Sequence, residues 1–190
     1  MRYLVGIYGG MGSGKSTVMA RLEALGASVI SADRVNAEVM CTPAYIRGVE
    51  QLCPQCVTPD GVDKAVLRAW MVQDEGRRQA LMALAHPLIR DEILRSTIDG
   101  LWFVELSVYT PHYLELDDSW VVRCHPRTQL ARVLTRGGCT EGEAEAMIDA
   151  QYRQGVAPPD AQPILNDGTE AELCAKVDAM YTAILARLHS

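Results

Sequence analysis

This 190-residue chain contains little lysine and lacks long apolar runs, and each of these features excludes some classes of protein. Only three lysines occur, Lys15, Lys64 and Lys176, and the net charge is −6. General nucleic-acid binders and membrane-surface proteins use an excess of positive charge to attract phosphates, so the acidic balance argues against both classes. No stretch reaches the roughly eighteen apolar residues of a membrane-spanning helix. We therefore expect neither a nucleic-acid partner nor membrane association.

A secretory leader and a disulfide framework are also missing from the pattern. Residues 1–8 lack a charged segment followed by a long apolar core, so we expect a soluble, cytoplasmic protein. The pattern leaves the oligomeric state open, and we favour a monomer. The six cysteines are irregularly spaced, so we expect most of them to be small buried side chains or free thiols. Cys53 and Cys56 alone have ligand spacing. Because no second pair follows, a zinc site is not favoured.

A glycine-rich segment is the strongest motif in the chain. Residues 9–16 read GGMGSGKS and fit the phosphate-binding pattern G-x-x-x-x-G-K-[ST], between an apolar run at 2–8 and a helical pattern at 15–25. The glycines let successive N–H groups point inward, and the helix that follows directs its positive end at the same place. A glycine-rich turn that contains a lysine by accident is the weaker alternative.

This P-loop predicts the ligands of a nucleotide triphosphate. Lys15 would reach the β- and γ-phosphates, the Ser16 hydroxyl would ligate Mg²⁺, and Thr17 would contact the α-phosphate. The cofactor-binding residues predicted in this segment are Gly10, Gly12, Ser13, Gly14, Lys15, Ser16 and Thr17.

Short apolar runs alternate with helical patterns and predict an α/β fold. Strands are expected at 2–8, 27–31, 101–106, 119–124 and 163–165. Between the second and third runs we find only helical patterns, including one at 75–85 and another that begins at Pro87. We therefore predict a three-layer P-loop kinase fold with a five-stranded parallel sheet and a helical substrate-binding insertion.

Two predicted helices joined by a glycine pair form a candidate lid. The first, at about 127–136, carries Arg132 and Arg136 at i and i+4, and the second starts at a capping box of Thr140 and Glu143. Arginines suit phosphate oxygens, and closure of the lid would exclude water. The alternative is an exposed helix face on which the arginines pair with nearby acids.

Together these segments predict one P-loop kinase domain. The core comprises 1–33, 100–126 and 163–190, the acceptor-binding insertion 34–99, and the lid 127–155. The guanine-binding run Asn-Lys-x-Asp is absent, which argues against a regulatory GTPase. The small size, the helical insertion and the arginine-bearing lid favour a kinase for a small molecule. Phosphoryl transfer also needs a carboxylate to orient or deprotonate the incoming hydroxyl, and Asp33, just past the second strand, is the candidate. Its alternative role is to cap the helix that follows.

Several separated segments resemble the dephospho-coenzyme A kinase family, nearly from end to end. The segments that carry the resemblance are MRYLVGIYGGMGSGKSTV, VISADRV, PDGVDKAVLRAWM, LMALAHPLIRDEI, HPRTQLARVLTRGG and AEAMIDAQ. The resemblance implies transfer of the ATP γ-phosphoryl group to the ribose 3′-hydroxyl of dephospho-coenzyme A, with ATP and Mg²⁺ required.

The resemblance also implies roles for single residues. Lys15, Asp33 and Arg136 would be catalytic, and Asp33 would bind the acceptor as well. His86 lies in the segment that resembles the family's acceptor-bordering His-Pro helix, although a histidine before proline often only packs. Asn166 resembles the turn beside the adenine in such kinases, with a plain helix-entry turn as the alternative.

Glu105 has two interpretations: it could hold a metal-bound water on the acceptor side, or pair with an arginine. The segment that it begins, 105–109, reads ELSVY and differs from the family's usual Val-Pro-Leu-Leu-like run, and Ser31 replaces an aspartate. Two other hypotheses therefore stay open. One is a P-loop small-molecule or nucleotide kinase with a different acceptor, and the other is a non-catalytic ATP-binding relative.

Overall fold

The computed structural model describes residues 1–189, which form two compact units. One unit comprises Met1–Ser31 together with the chain from Asp99 onward, and the other comprises Ala32–Ile98. The strands, in chain order, are β1 (Arg2–Gly9), β2 (Ser28–Ser31), β3 (Val57–Thr58), β4 (Gly61–Val62), β5 (Gly100–Glu105), β6 (Asp118–Arg123) and β7 (Gln162–Leu165). The helices are α1 (Lys15–Ala24), α2 (Ala32–Val39), α3 (Pro43–Leu52), α4 (Lys64–Met71), α5 (Glu75–Ser96), α6 (Pro126–Thr135), α7 (Glu141–Gln154) and α8 (Glu170–Leu188).

The first unit is built on a five-stranded sheet in the order β2-β5-β1-β6-β7, with every pairing parallel. The chain crosses from β1 over β5 to the edge strand β2, and later from β5 over β1 to β6. The strand order therefore reverses next to β1. Open parallel sheets bind ligands at such a switch point, beyond the carboxyl ends of the strands. The predicted α/β fold with a five-stranded parallel sheet is confirmed.

The core of this unit contains aromatic side chains from β5 and β6, the two strands on either side of the central strand β1. Phe103 on β5 and Trp120 on β6 are almost fully buried, with ring centroids 5.2 Å apart. Tyr181 on α8 lies 5.9 Å from Phe103, so the last helix packs on the sheet through the same cluster. This packing holds β1, and with it the start of the P-loop, in the middle of a rigid layer.

Local sequence signals fix where the helices of this unit begin. The Thr140 side chain accepts from Glu143 N while the Glu143 carboxylate accepts from Thr140 N, a complete capping box for α7. Thr169 and Glu172 form the same arrangement at α8. Each box satisfies backbone N–H groups that the helix itself leaves unpaired, and for this reason both starts were predictable.

Two secondary-structure predictions for the second unit were wrong. The segment 34–99 was expected to contain no strand, but β3 and β4 pair as a small antiparallel hairpin, Val57 with Val62. Strands of two residues are too short to show a periodic pattern. A break was expected before Pro87, but α5 runs through it without interruption. Proline removes one backbone hydrogen bond of the helix, and burial of Leu81 and Ile89 on either side offsets that loss.

Cys53 and Cys56 form a disulfide, and both side chains are completely buried. Cys53 is the N-cap and Cys56 the last residue of a single 3₁₀ turn, Pro54–Cys56, that follows α3. The sequence left the role of this pair open, and the disulfide is possible because the turn brings the two Cα atoms to 5.4 Å. No metal-ligand cluster of three or more His, Cys, Asp or Glu side chains occurs within residues 1–189. Over the same range, none of the helices combines the length and apolar character needed to cross a membrane.

Candidate active site

The P-loop connects the central strand β1 to the first turn of α1. Gly14 is the N-cap of α1 and has φ 106°, a left-handed conformation that favours glycine. Its carbonyl accepts from Val18 N at 3.2 Å, and Ser13 N donates to the Gly10 carbonyl at 3.1 Å. The loop therefore closes on itself and presents the amino end of α1 at the switch point of the sheet. A helix amino end at this place suits an anion of polyphosphate size.

Lys15 is the first residue of α1, and its ammonium group donates to the carbonyl of Gly9 at the end of β1. The side chain thus folds back over the loop instead of extending into solvent. An ammonium held against the P-loop backbone places a positive charge beside the cradle of N–H groups. This is the charge that phosphate binding requires.

A cavity of ≈ 360 Å³ opens beside the P-loop. Backbone of the loop, the end of α6 and the start of α8 contribute to its wall, which is lined by Gly12, Gly14, Thr17, Arg132, Thr135, Arg136, Asn166, Glu170 and Leu173. The size lies at the lower end of the range for small-molecule sites. Polar groups from three elements converge there, and Leu173 supplies an apolar surface.

Arg132 and Arg136 both line this cavity, as their i and i+4 spacing on the predicted lid helix requires. Arg132 donates to the Ser13 carbonyl at 3.4 Å. Neither guanidinium belongs to an ion pair within residues 1–189, so the acid pairing of the alternative interpretation is not found in that range, although Arg136 is exposed. The arrangement leaves two positive charges facing the same space as the P-loop.

Asn166 is 4% exposed and lies directly behind the P-loop. Its Nδ2 donates to the Ser13 carbonyl at 2.7 Å, and its Oδ1 accepts from Arg132 at 3.4 Å. The side chain therefore links the turn after β7 to both the loop and the lid helix α6. It had been predicted on the adenine side of the nucleotide, and the structure adds this contact with the loop backbone.

Glu105 is the last residue of β5, where the register places it opposite Ile7 of β1 and Ser31 of β2. It lies at the carboxyl edge of the sheet, the edge from which the P-loop also leaves. The segment that follows, 106–109, differs from the family pattern noted above.

The other two predicted acceptor residues belong to the second unit. Asp33 is an exposed residue in the first turn of α2, which begins directly after β2, so it is inside the helix rather than its N-cap. His86 is a half-buried residue of α5, and burial lowers its pKa, so the imidazole is neutral near pH 7. Their roles toward an acceptor stay predictions.

Sequence reasoning missed several residues that shape the site. Gln129 and Gln151 hydrogen-bond to the backbone of the P-loop. Both lie in segments that carry the family resemblance, HPRTQLARVLTRGG and AEAMIDAQ, and that resemblance is the signal that could have found them. Cys124 follows β6 with its thiol toward the Gly12 carbonyl, and burial raises the thiol pKa, which keeps it protonated at neutral pH. Thr135 and Glu170 line the cavity. The only sequence signals for a role of these two residues in the site are that Thr135 precedes Arg136 and that Glu170 follows the capping residue Thr169.

Residues 3–172 match the sequence pattern of the dephospho-CoA kinase family. The chain belongs to this family. A dephospho-CoA kinase of Symbiobacterium thermophilum is 36% identical, over 95% of this chain and 80% of the relative. A dephospho-CoA kinase of Thermobifida fusca is also 36% identical, over 98% of each chain. The family that the sequence resembled is confirmed.

Solved structures are similar along almost the whole length. TT1252 from Thermus thermophilus has a TM-score of 0.77 at 27% identity, with 98% of each chain covered. A dephospho-CoA kinase from Campylobacter jejuni has a TM-score of 0.61 at 19% identity, over 95% of this chain and 96% of the other, and at that identity it supports the fold alone. The predictions of a kinase of coenzyme A biosynthesis, and of ATP as a substrate, are confirmed at the level of the dephospho-CoA kinase family.

Proposed function

We propose that this chain transfers the γ-phosphoryl group of ATP to the ribose 3′-hydroxyl of dephospho-CoA, which gives coenzyme A. One observation carries the proposal: the P-loop and the two lid arginines, Arg132 and Arg136, share one cavity in a chain whose residues 3–172 match the dephospho-CoA kinase family. The domain layout expected from the sequence is part of the proposal: a core that binds ATP, an insertion at 34–99 that binds the acceptor, and a lid at 127–155.

The phosphate side of the reaction follows from charge and backbone geometry. The N–H groups from Gly10 to Thr17 bind the β- and γ-phosphates, and the Lys15 ammonium neutralises the negative charge of these two phosphates. Arg132 and Arg136 bind the γ-phosphate oxygens and the charge that develops on them during transfer. Preorganised donors of this kind stabilise a phosphoryl-transfer transition state, because charge there spreads over the equatorial oxygens.

Magnesium fits the donor set that this chain offers. Ser16 places one hydroxyl at the start of α1, and no cluster of metal-ligating side chains occurs within residues 1–189. Mg²⁺ is commonly coordinated by few protein ligands together with substrate phosphates and waters. A single hydroxyl beside a phosphate site fits this coordination preference. When bound, it would supply charge neutralisation on the β- and γ-phosphates.

On the acceptor side, Asp33 is the proposed general base for the ribose 3′-hydroxyl. A carboxylate in this role orients the hydroxyl and accepts its proton as the new O–P bond forms. His86 and Glu105 are proposed to bind the acceptor. A neutral His86 would act as a hydrogen-bonding group and not as a charge. Because ATP and dephospho-CoA are intracellular nucleotides, we place the reaction in the cytoplasm, with a monomer as the working unit.

The direct test is ADP release in the presence of ATP, Mg²⁺ and a panel of acceptors. We expect turnover with dephospho-CoA and none above the no-acceptor control with nucleoside monophosphates. Asp33→Asn is expected to lower kcat by about a hundredfold or more, as loss of a general base does. Glu38→Gln, an exposed change on the same helix α2, is the matched control and should keep full activity.

Two results would overturn the proposal. Turnover with another acceptor only would identify a kinase of different specificity. ATP binding without turnover on any acceptor would identify a non-catalytic relative.

A further inference from the structure

Both backbone groups of one P-loop residue, Met11, are bound by side-chain amides from the lid. Gln129 on α6 donates through Nε2 to the Met11 carbonyl at 2.7 Å. Met11 N donates to Oε1 of Gln151 on α7, also at 2.7 Å. These bonds fix the orientation of the two peptide groups that flank Met11. The N–H groups that follow in the loop depend on that orientation.

The fit around this contact is tight. Gln129 is 1% exposed, and its Oε1 accepts from the Tyr152 hydroxyl at 3.2 Å. A Cβ at Gly10 would lie 2.6 Å from the Gln129 Nε2, so the amide can approach only because residue 10 is glycine. The Met11 side chain also packs against the α6–α7 cluster that contains Val133. The P-loop is therefore joined to both lid helices through apolar and polar contacts.

The same Gln151 side chain reaches the segment after β5. Its Nε2 donates to the Ser107 carbonyl at 3.0 Å. Two residues further on, Tyr109 N donates to the carbonyl of Gly155, just past the end of α7, at 3.4 Å, and the Tyr109 ring meets Tyr8 of β1 edge-on at 6.1 Å. The segment 105–109 is thus attached to the end of α7 at two points, one of which is Gln151.

We infer that Gln151 is a positioning residue that couples the phosphate-binding loop to the segment 105–109. An amide is required because it accepts one hydrogen bond and donates another at the same time, which neither a carboxylate nor an alkyl group does. Through its Oε1 it sets the P-loop for ATP, and through its Nε2 it sets the segment that begins at Glu105. The acceptor half of this inference rests on the proposed function, in which Glu105 binds dephospho-CoA.

Two substitutions of Gln151 separate its effect on the P-loop from its effect on the segment 105–109. Gln151→Glu keeps an acceptor for Met11 N but loses the donor to Ser107, and Gln151→Leu loses both. Ala150→Glu adds the same charge at an exposed neighbouring position and corrects for the effect of charge on ATP. For each variant, the Kd for ATP, the KM for dephospho-CoA, kcat and Tm are measured.

We expect the Gln151→Glu variant to bind ATP within twofold of the Ala150→Glu variant, while its KM for dephospho-CoA is at least fivefold higher. Gln151→Leu should weaken ATP binding at least fivefold and raise the KM as well. A residue that only stabilises the fold would lower Tm without this split between the two substrates. The inference is overturned when both variants change the two constants equally, or change Tm alone.

A second experiment that needs no catalytic turnover distinguishes a failure of the proposed coupling by Gln151 from a failure of the proposed function. Hydrogen–deuterium exchange of the peptide that covers 105–113 is followed with and without ATP. In the wild-type protein ATP binding should slow exchange there, and the Gln151→Leu variant should lose that response at saturating ATP. Inactivity of the wild-type protein with dephospho-CoA would refute the proposed function alone. An exchange response that survives in the variant would refute the coupling alone.

Discussion

Removal of the Asn166 amide should weaken both the fold and ATP binding. Asn166→Leu keeps the approximate volume of a side chain that is 4% exposed and deletes its 2.7 Å hydrogen bond to the Ser13 carbonyl. The carbonyl would keep only the Arg132 contact at 3.4 Å. A buried polar group left without a good partner costs roughly 1–3 kcal/mol. We therefore expect the free energy of unfolding to fall by about 2 kcal/mol, which is about 4–8 °C in Tm for a chain of this length.

The ATP site should respond as well, because Ser13 lies between the P-loop glycines whose N–H groups bind phosphate. We expect the Kd for ATP to rise about tenfold, equivalent to about 1.4 kcal/mol. Denaturant unfolding and calorimetric titration with ATP measure the two effects. Gln162→Leu makes the same kind of change at an exposed residue of β7, whose amide donates to Asp118 Oδ1 at 3.2 Å. It should cost less than about 0.5 kcal/mol. Equal losses in both variants, or an unchanged Kd in the Asn166 variant, would refute this reasoning.

Three further predictions concern the second unit and the loop. Burial lowers the pKa of His86 in the folded chain, so the unfolded chain binds a proton more readily. The free energy of unfolding should therefore be highest above about pH 6.5, the ordinary pKa of histidine, and should fall as the pH drops below that value. In the His86→Gln variant, the free energy of unfolding should depend less on pH in this range. Reduction of Cys53–Cys56 should cost about 2 kcal/mol, because the closed loop is short, and a reductant titration should leave a double alanine variant unaffected. Gly14→Ala should abolish ATP binding in calorimetry, since φ is 106° and the new Cβ would lie 2.2 Å from Asn166 Nδ2; retained binding would contradict the loop geometry.

Features with local signals were predictable from the sequence. The P-loop of residues 9–16 lies between a strand and a helix as its pattern requires, and the capping boxes at Thr140 and Thr169 mark the starts of α7 and α8. Each depends on residues a few positions apart, so neighbouring letters contain the information. The joint exposure of Arg132 and Arg136 to one cavity follows from helical spacing in the same way.

Features that depend on tertiary context were not predictable. Gln129 and Gln151 lie in segments that carry the family resemblance, but those segments do not indicate that the partner of both glutamines is the backbone of Met11, more than a hundred residues away in the chain. The passage of α5 through Pro87 is likewise decided by burial on both sides, which overrides the local preference of proline. The pairing of Cys53 needed the geometry of the turn, because ligand spacing fits a metal and a disulfide equally well.

Identification of the reaction product decides whether this chain is a dephospho-CoA 3′-kinase. The wild-type chain is incubated with ATP, Mg²⁺ and dephospho-CoA, and the product is analysed by ³¹P NMR and mass spectrometry. We expect coenzyme A, with one new phosphomonoester on the ribose 3′-oxygen and one ADP formed for each. ADP with unmodified dephospho-CoA, or a phosphate on any other oxygen, would contradict this assignment.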